Sequence, residues 1–340
     1  MKQLNKDIQL SAIGNALVDI QIESTEAELE DSGFEKGTMT LVDKDKQTKA
    51  MEKMEGRKNH LSSGGSAANT VIAFSELGGK SGYATAIGND DLGRFYESEF
   101  QNLGIVLSAK QSKNLPTGTC LLYITPDAER TQATYLGANE EMDENTIDTD
   151  MIRRSEWLYV EGYKLSSEDG FAAANEAIKQ AKKFNTKIAL TLSDKFIVDI
   201  FGERVESIMK DVNLVFCNEM EAKAFTGKDN VEDAYEVMNS SDYDFVLTKS
   251  GKGSVASIAR TKYEFDAVKT EAIDTTGAGD MYAAGFMYGL LCCRSIEAAG
   301  RIASLTASKV VSQFGARLKT SQTTLRDEVL YSLNMHKVIS

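Results

Sequence analysis

Asp274-Thr275-Thr276-Gly277-Ala278-Gly279-Asp280, running on into Met281-Tyr282-Ala283-Ala284-Gly285-Phe286-Met287, is the stretch from which this chain is best read. Two glycines and an alanine between two carboxylates let successive backbone N–H groups converge on one point. The helix-compatible sequence that follows adds its positive N-terminal end, so the turn suits an anion such as a phosphoryl group. Asp280 is the oddity, because an anion would repel it. It makes sense beside that anion if it takes a proton from a hydroxyl attacking the phosphorus.

Outward from this turn, strand-like apolar runs alternate with helical patterns. The strands read as Ile8–Ile13, Trp157–Val160, Lys187–Leu192, Val212–Cys217, Asp244–Thr248 and Ser254–Ile258. The helices read as Ala67–Leu77, Gly93–Leu103, Gly170–Phe184, Glu203–Met209, Glu219–Phe225, Val231–Met238, Gly279–Leu291 and Ser295–Gln313. Such alternation predicts a doubly wound α/β fold with a mostly parallel central sheet. Val18–Ile22 with Thr38–Val42, and Gly118–Thr125 with Thr131–Leu136, alternate apolar and polar residues like solvent-facing antiparallel strands. They predict a small sheet projecting over the site as a lid, with its strands drawn from about 16–45 and 105–140 of a single domain spanning 1–340.

The 340 residues can bury a large core, and 42% hydrophobic with 26% charged residues is ordinary for a globular protein. A net charge of −13 without a basic stripe argues against nucleic-acid binding. Any anionic ligand must then be held by local backbone dipoles. Met1–Leu10 lacks the apolar core of a secretory signal, and no run is long enough to span a bilayer. Cys120, Cys217, Cys292 and Cys293 are spaced for neither a disulfide framework nor a zinc site, which predicts a reducing, cytoplasmic setting. With only His60 and His336, Ser-His catalysis and His-rich metal sites are improbable.

Further motifs sit at strand and helix ends. Gly64-Gly65-Ser66-Ala67-Ala68-Asn69 reads either as a tight turn and helix cap, or as a close ligand approach with Asn69 offering its amide to hydroxyls. Gly14-Asn15-Ala16-Leu17-Val18-Asp19 follows the first strand, where parallel sheets place ligands. There Asp19 is either a solvated turn residue or an acceptor for vicinal hydroxyls. Asn218-Glu219-Met220-Glu221 is either a helix cap or a magnesium-water and phosphate position with Glu221 as the outer carboxylate. Thr248-Lys249-Ser250-Gly251-Lys252-Gly253 is either a hairpin turn or a loop lining a nucleotide. Two decoys fail. Gly79-Lys80-Ser81 has Phe74 where a phosphate loop needs its first glycine, and Gly277-Ala278-Gly279 has Tyr282 where a dinucleotide fingerprint needs a small residue.

In their order and wide spacing, the motifs at 64–69, 218–221 and 274–280 make the chain resemble the ribokinase-like (PfkB) carbohydrate and nucleoside kinases over nearly its whole length. Gly14–Ile20, Pro116–Cys120, Leu190–Ser193 and Val215–Glu219 look most like the adenosine kinase branch. The resemblance implies a three-layer α/β/α fold with a β lid, and transfer of the γ-phosphoryl group of MgATP to a primary hydroxyl. It implies that Asn15, Asp19, Gly64, Gly65, Ser66 and Asn69 hold the acceptor and that Asp280 is the base. Gly277, Ala278 and Gly279 would form the anion hole. Asn218 and Glu221 would organise magnesium and phosphates, with Thr248, Gly251 and Gly253 along the ATP. The resemblance allows, without requiring, a monovalent cation such as K+ near Asp274 and 312–316.

Met39 and the pair Tyr163-Lys164 depart from the adenosine kinase pattern. They keep ribose, a hexose or another nucleoside open beside adenosine, and a non-catalytic nucleotide- or sugar-binding regulator remains a more distant alternative. A monomer and a homodimer both agree with the pattern.

Overall fold

The computed structural model describes residues 6–53, 56, 57, 59–127 and 129–339. The first five residues of the expected leader-free Met1–Leu10 segment lie outside the described residues. A nine-stranded sheet runs in the spatial order Thr261–Phe265, Ser254–Ile258, Asp244–Thr248, Leu214–Asn218, Lys187–Thr191, Ser155–Glu161, Ile8–Ile13, Ser81–Gly88, Val106–Ser112. Pairing is parallel from Asp244–Thr248 onward, and the first two strands add antiparallel at one edge.

Strands covered on both faces must be apolar on both, which is why they read as runs rather than alternations. Along Ser155–Glu161, Trp157 and Tyr159 join one buried cluster while Leu158 and Val160 join the other. The first cluster is closed by the helices Ser66–Glu76, Ala278–Leu291 and Ile296–Val311; the second by Glu168–Lys183, Lys195–Met209, Glu219–Thr226 and Val231–Asn239. The expected three layers and mostly parallel sheet are present.

The smaller sheet has five strands in the order Met39–Leu41, Arg130–Tyr135, Gly118–Ile124, Leu17–Glu23, His60–Gly64. Gly118–Ile124 pairs antiparallel with Arg130–Tyr135, as expected. The expected pairing of Val18–Ile22 with Thr38–Val42 does not form. Leu17–Glu23 lies between His60–Gly64 and Gly118–Ile124, and Met39–Leu41 pairs parallel with Arg130–Tyr135. Alternation fixes which face a side chain takes, but it does not choose the partner strand.

Two boundaries also change. His60–Gly64 joins this sheet from outside the expected spans, and Val106–Ser112 belongs to the large sheet. Nor is the sheet solvent-facing. Ile20, Ile22, Leu121, Tyr123 and Ala133 are buried in one core cluster with Leu29, Phe34 and Ala50, while the alternate residues turn to a cleft.

Candidate active site

A cleft of about 1100 Å³ opens between the two sheets at the carboxyl ends of the parallel strands. Asn15, Glu161, Thr191, Asn218 and Thr248, each at or just past such an end, line it from below. From above come alternate residues of the small sheet: Leu17 and Asp19, Met39 and Leu41, Cys120 and Leu122, and Arg130, Gln132 and Thr134. Every residue expected at the site reaches this cleft except Gly64. A Cβ on Gly64 would stand 2.7 Å from Oδ2 of Asp19, so it packs directly behind that carboxylate.

Gly277, with φ of 75°, is the N-cap of Ala278–Leu291, and no side chain caps this helix. The Ala278 N–H donates to the Thr275 carbonyl at 3.2 Å, and the helix start otherwise lines the cleft without a side-chain acceptor, an arrangement an anion can complete. Asp280 lies in the first turn. Its Oδ1 accepts from Oγ of Ser66 at 2.6 Å and its Oδ2 from Nδ2 of Asn69 at 2.9 Å. The two donors stand on the first turn of Ser66–Glu76, entered through Gly65 at φ 106°, where a Cβ would meet the Asn15 carbonyl at 2.0 Å. Asn69 thus bonds Asp280, and its buried Oδ1 has no protein partner. Burial pushes Asp280 up to about 6, against the pull of its two donors. Asp19 is pushed up to about 7 by burial and by Asp280, with Arg130 and Arg317 opposing.

Asn218 and Glu221 form a complete capping box at the start of Glu219–Thr226. Asn218 Nδ2 donates to Glu221 Oε1 at 2.6 Å, and the Glu221 N–H donates to Asn218 Oδ1 at 2.9 Å. Cap and cleft lining thus coincide, and the two readings of this motif are compatible. Burial pushes Glu221 up to about 7 against the pull of the Asn218 N–H, with the Asp194 carboxylate adding to the rise. A hydrated divalent cation would relieve that crowding. Among the described residues no cluster of three metal-ligating side chains exists. The donor set fits an outer-sphere place for an ion carried by phosphates, not a protein cage. Thr248 lies beside Asn218 on the neighbouring strand and lines the cleft with Gly251 and Gly253, the last at φ 88°.

Glu161 and Arg130 went unread in the sequence, and Lys164 was noted there without a role. Glu161 ends a buried strand and accepts from the N–H of Ala67 at 2.9 Å and from Nδ2 of Asn15 at 3.1 Å. Arg130 pairs with Asp274, and its Nε and Nη2 have no protein partner. Lys164 turns inward, 2% exposed, onto Asn15 Oδ1 at 3.1 Å, while its neighbour Tyr163 faces the cleft. An acid closing an otherwise apolar strand was the available signal for Glu161. Asp274 itself is well satisfied: Oδ1 accepts from the Thr276 N–H at 2.9 Å, and Oδ2 from Arg130 and from the Gly315 N–H at 2.8 Å. A monovalent cation near Asp274 would share that carboxylate with Arg130.

Residues 37–323 match the pfkB family carbohydrate kinase pattern. The fold superposes on adenosine kinase from Sinorhizobium meliloti with a TM-score of 0.86 at 31% identity, covering 95% of this chain and 99% of that one. It superposes equally on a probable sugar kinase from Rhizobium etli, with a TM-score of 0.86 at 30% identity, covering 95% and 98%. Among curated relatives, a 5-dehydro-2-deoxygluconokinase of Bacillus licheniformis is 29% identical over 262 residues, 74% of this chain and 81% of that protein. Among the described residues no helix is long and apolar enough to cross a membrane.

Proposed function

The chain belongs to the pfkB family of carbohydrate kinases, and on that premise we propose that it phosphorylates the 5′-hydroxyl of adenosine from ATP. Kinases of this family act on sugars and nucleosides and use ATP with a divalent metal. The observation that carries the proposal is the placement of Asp280. Its carboxylate is gripped by Ser66 and Asn69 beside the uncapped helix start, in the same cleft as Asp19.

In this reading Asp19, Asn15 and the backbone at Gly64–Ser66 hold the ribose so that its primary hydroxyl meets the γ-phosphorus in line. Positioning of that kind supplies about 7–11 kcal/mol of a barrier. Asp280 accepts the hydroxyl proton. The N–H groups at Gly277, Ala278 and Gly279 offset charge on the equatorial oxygens. Bound magnesium would neutralise phosphate charge, with Glu221 and Asn218 organising its water shell and Thr248, Gly251 and Gly253 lining the nucleotide. Leu17, Met39, Leu122, Leu136 and Tyr163 offer an apolar wall for a purine, and the likeness to the Sinorhizobium adenosine kinase supports that acceptor.

A second reading, a sugar or sugar-acid acceptor, is favoured by the Bacillus relative and by the unpartnered N–H groups of Arg130 in the cleft. ADP release measured with adenosine, inosine, D-ribose, D-fructose and 5-dehydro-2-deoxygluconate decides between them. The adenosine reading requires a kcat/KM for adenosine well above all the others, and a higher value for any sugar overturns it.

A further inference from the structure

Glu161, Lys164 and Asn15 form a buried trio, exposed by 1%, 2% and 7%, in which two charges are turned on one amide. Nζ of Lys164 donates to Oδ1 of Asn15 at 3.1 Å and to the Asn139 carbonyl at 3.3 Å. Nδ2 of Asn15 donates to Oε1 of Glu161 at 3.1 Å, and the Asn15 N–H reaches the same oxygen at 3.4 Å. The other oxygen, Oε2, accepts from the Ala67 N–H at 2.9 Å.

An ammonium can only donate and an ionised carboxylate can only accept. A flipped amide would set its NH₂ against Lys164 and its oxygen against Glu161, so the two charges leave Asn15 one orientation. One Nδ2 proton is spent on Glu161 and the other remains free on a residue that lines the cleft. Burying charges is costly, and a packed apolar pair would be cheaper; directionality is what the charged pair adds. Burial pulls Lys164 down and pushes Glu161 up, while each charge opposes the shift of the other. Glu161 reaches further still. Through Ala67 it holds the first turn of the helix whose Ser66 and Asn69 grip Asp280. Gly14 accommodates it, since a Cβ there would lie 2.4 Å from Oε2.

We infer that Glu161 and Lys164 are positioning residues that lock Asn15 as a hydrogen-bond donor to the acceptor, with Glu161 also registering that clamp to the base. The inference rests on the reading that Asn15 faces the acceptor. It separates the two residues. Lys164 governs acceptor binding, whereas Glu161 governs binding and turnover together.

Steady-state kinetics of the 340-residue chain carrying Lys164→Met, Glu161→Gln or both, with adenosine and in parallel D-ribose, test it. Lys164→Met raises the adenosine KM about tenfold, as loss of a charge-assisted hydrogen bond requires, while the ATP KM and kcat stay near wild type. Glu161→Gln raises the same KM and lowers kcat as well. An unchanged acceptor KM in Lys164→Met overturns the inference, as does an equal rise in the KM for ATP. If wild type uses ribose and not adenosine, the adenosine reading fails and the same comparison is made with ribose. If it uses neither, urea unfolding decides. Each single variant lowers the midpoint and the double variant recovers part of the summed loss; strictly additive losses overturn the pairing.

Discussion

Nη1 of Arg130 lies 2.5 Å from Oδ2 of Asp274, and the two side chains are only 7% and 5% exposed. The pair joins the small sheet to the loop that leads into Gly277–Asp280, and Asp274 also receives the Thr276 and Gly315 N–H groups. One carboxylate therefore sets the mutual placement of the sheet above the cleft, the turn below it and the segment around 315. Removing one partner leaves the other charge buried. Arg130→Met is expected to cost about 3–5 kcal/mol in urea unfolding and to lower turnover. Arg130→Met combined with Asp274→Asn recovers part of that stability. A single-variant loss no larger than that of an exposed ion pair contradicts the role.

The same neutralisation sets the response to salt. With the Arg130 guanidinium on Asp274, no uncompensated carboxylate charge remains there to recruit a monovalent cation. Turnover is expected to be the same in potassium, sodium or tetramethylammonium chloride at matched ionic strength. Strong activation by potassium alone contradicts this.

Two glycines of the turn are present for different reasons. Gly277 sits at φ 75°, and a Cβ there would lie 2.7 Å from Ala316. Gly279 has no atom within 4 Å of an added Cβ, because that side opens to the cleft. Gly277→Ala is therefore a folding variant, costing about 1–3 kcal/mol in backbone strain before the clash is counted. Gly279→Val is expected to keep the wild-type urea midpoint and to lose ATP turnover, because its side chain occupies the phosphoryl position. Normal turnover in Gly279→Val would remove this turn from the proposed anion site.

The sequence announced the large sheet wherever a strand is an apolar run, as in Leu214–Asn218, whose flanking layers demand apolar side chains on both faces. Ser81–Gly88 is buried at all eight positions, yet its small residues carry no β-branched run to mark a strand. Val106–Ser112, an edge strand, is half-exposed and reads as polar. At the site, Asp19, Asn69 and Asp280 were legible because glycine turns and strand ends flag where backbone must stay open. Glu161 and Arg130 were not, although each stands at the end of a strand, since nothing adjacent in the sequence shows what it bonds. Their partners, Ala67 and Asp274, stand 94 and 144 residues away. Lys164 stood out in the sequence only as a departure from the adenosine kinase pattern. Its ammonium is spent on Asn15 beneath the cleft.

Asp280 makes the sharpest demand on pH. As a base it must be ionised, and burial raises it to about 6, so kcat/KM for the acceptor rises with pH through that value. Asp19, raised to about 7, adds a second ionisation on the same limb. Asp19→Asn removes the upper step and leaves the lower one near 6, with weaker acceptor binding. Ser66 donates to Asp280 and stabilises its charged form. Ser66→Ala therefore moves the limb to higher pH, by about one unit if about 1.4 kcal/mol of that stabilisation is lost. Asp280→Asn lowers turnover by about 10²–10⁴-fold at every pH, with ATP binding retained. The profile is read by coupled ADP assay from pH 5 to 9. A limb that Ser66→Ala leaves in place assigns the ionisation to another group and ends the case for Asp280 as the base.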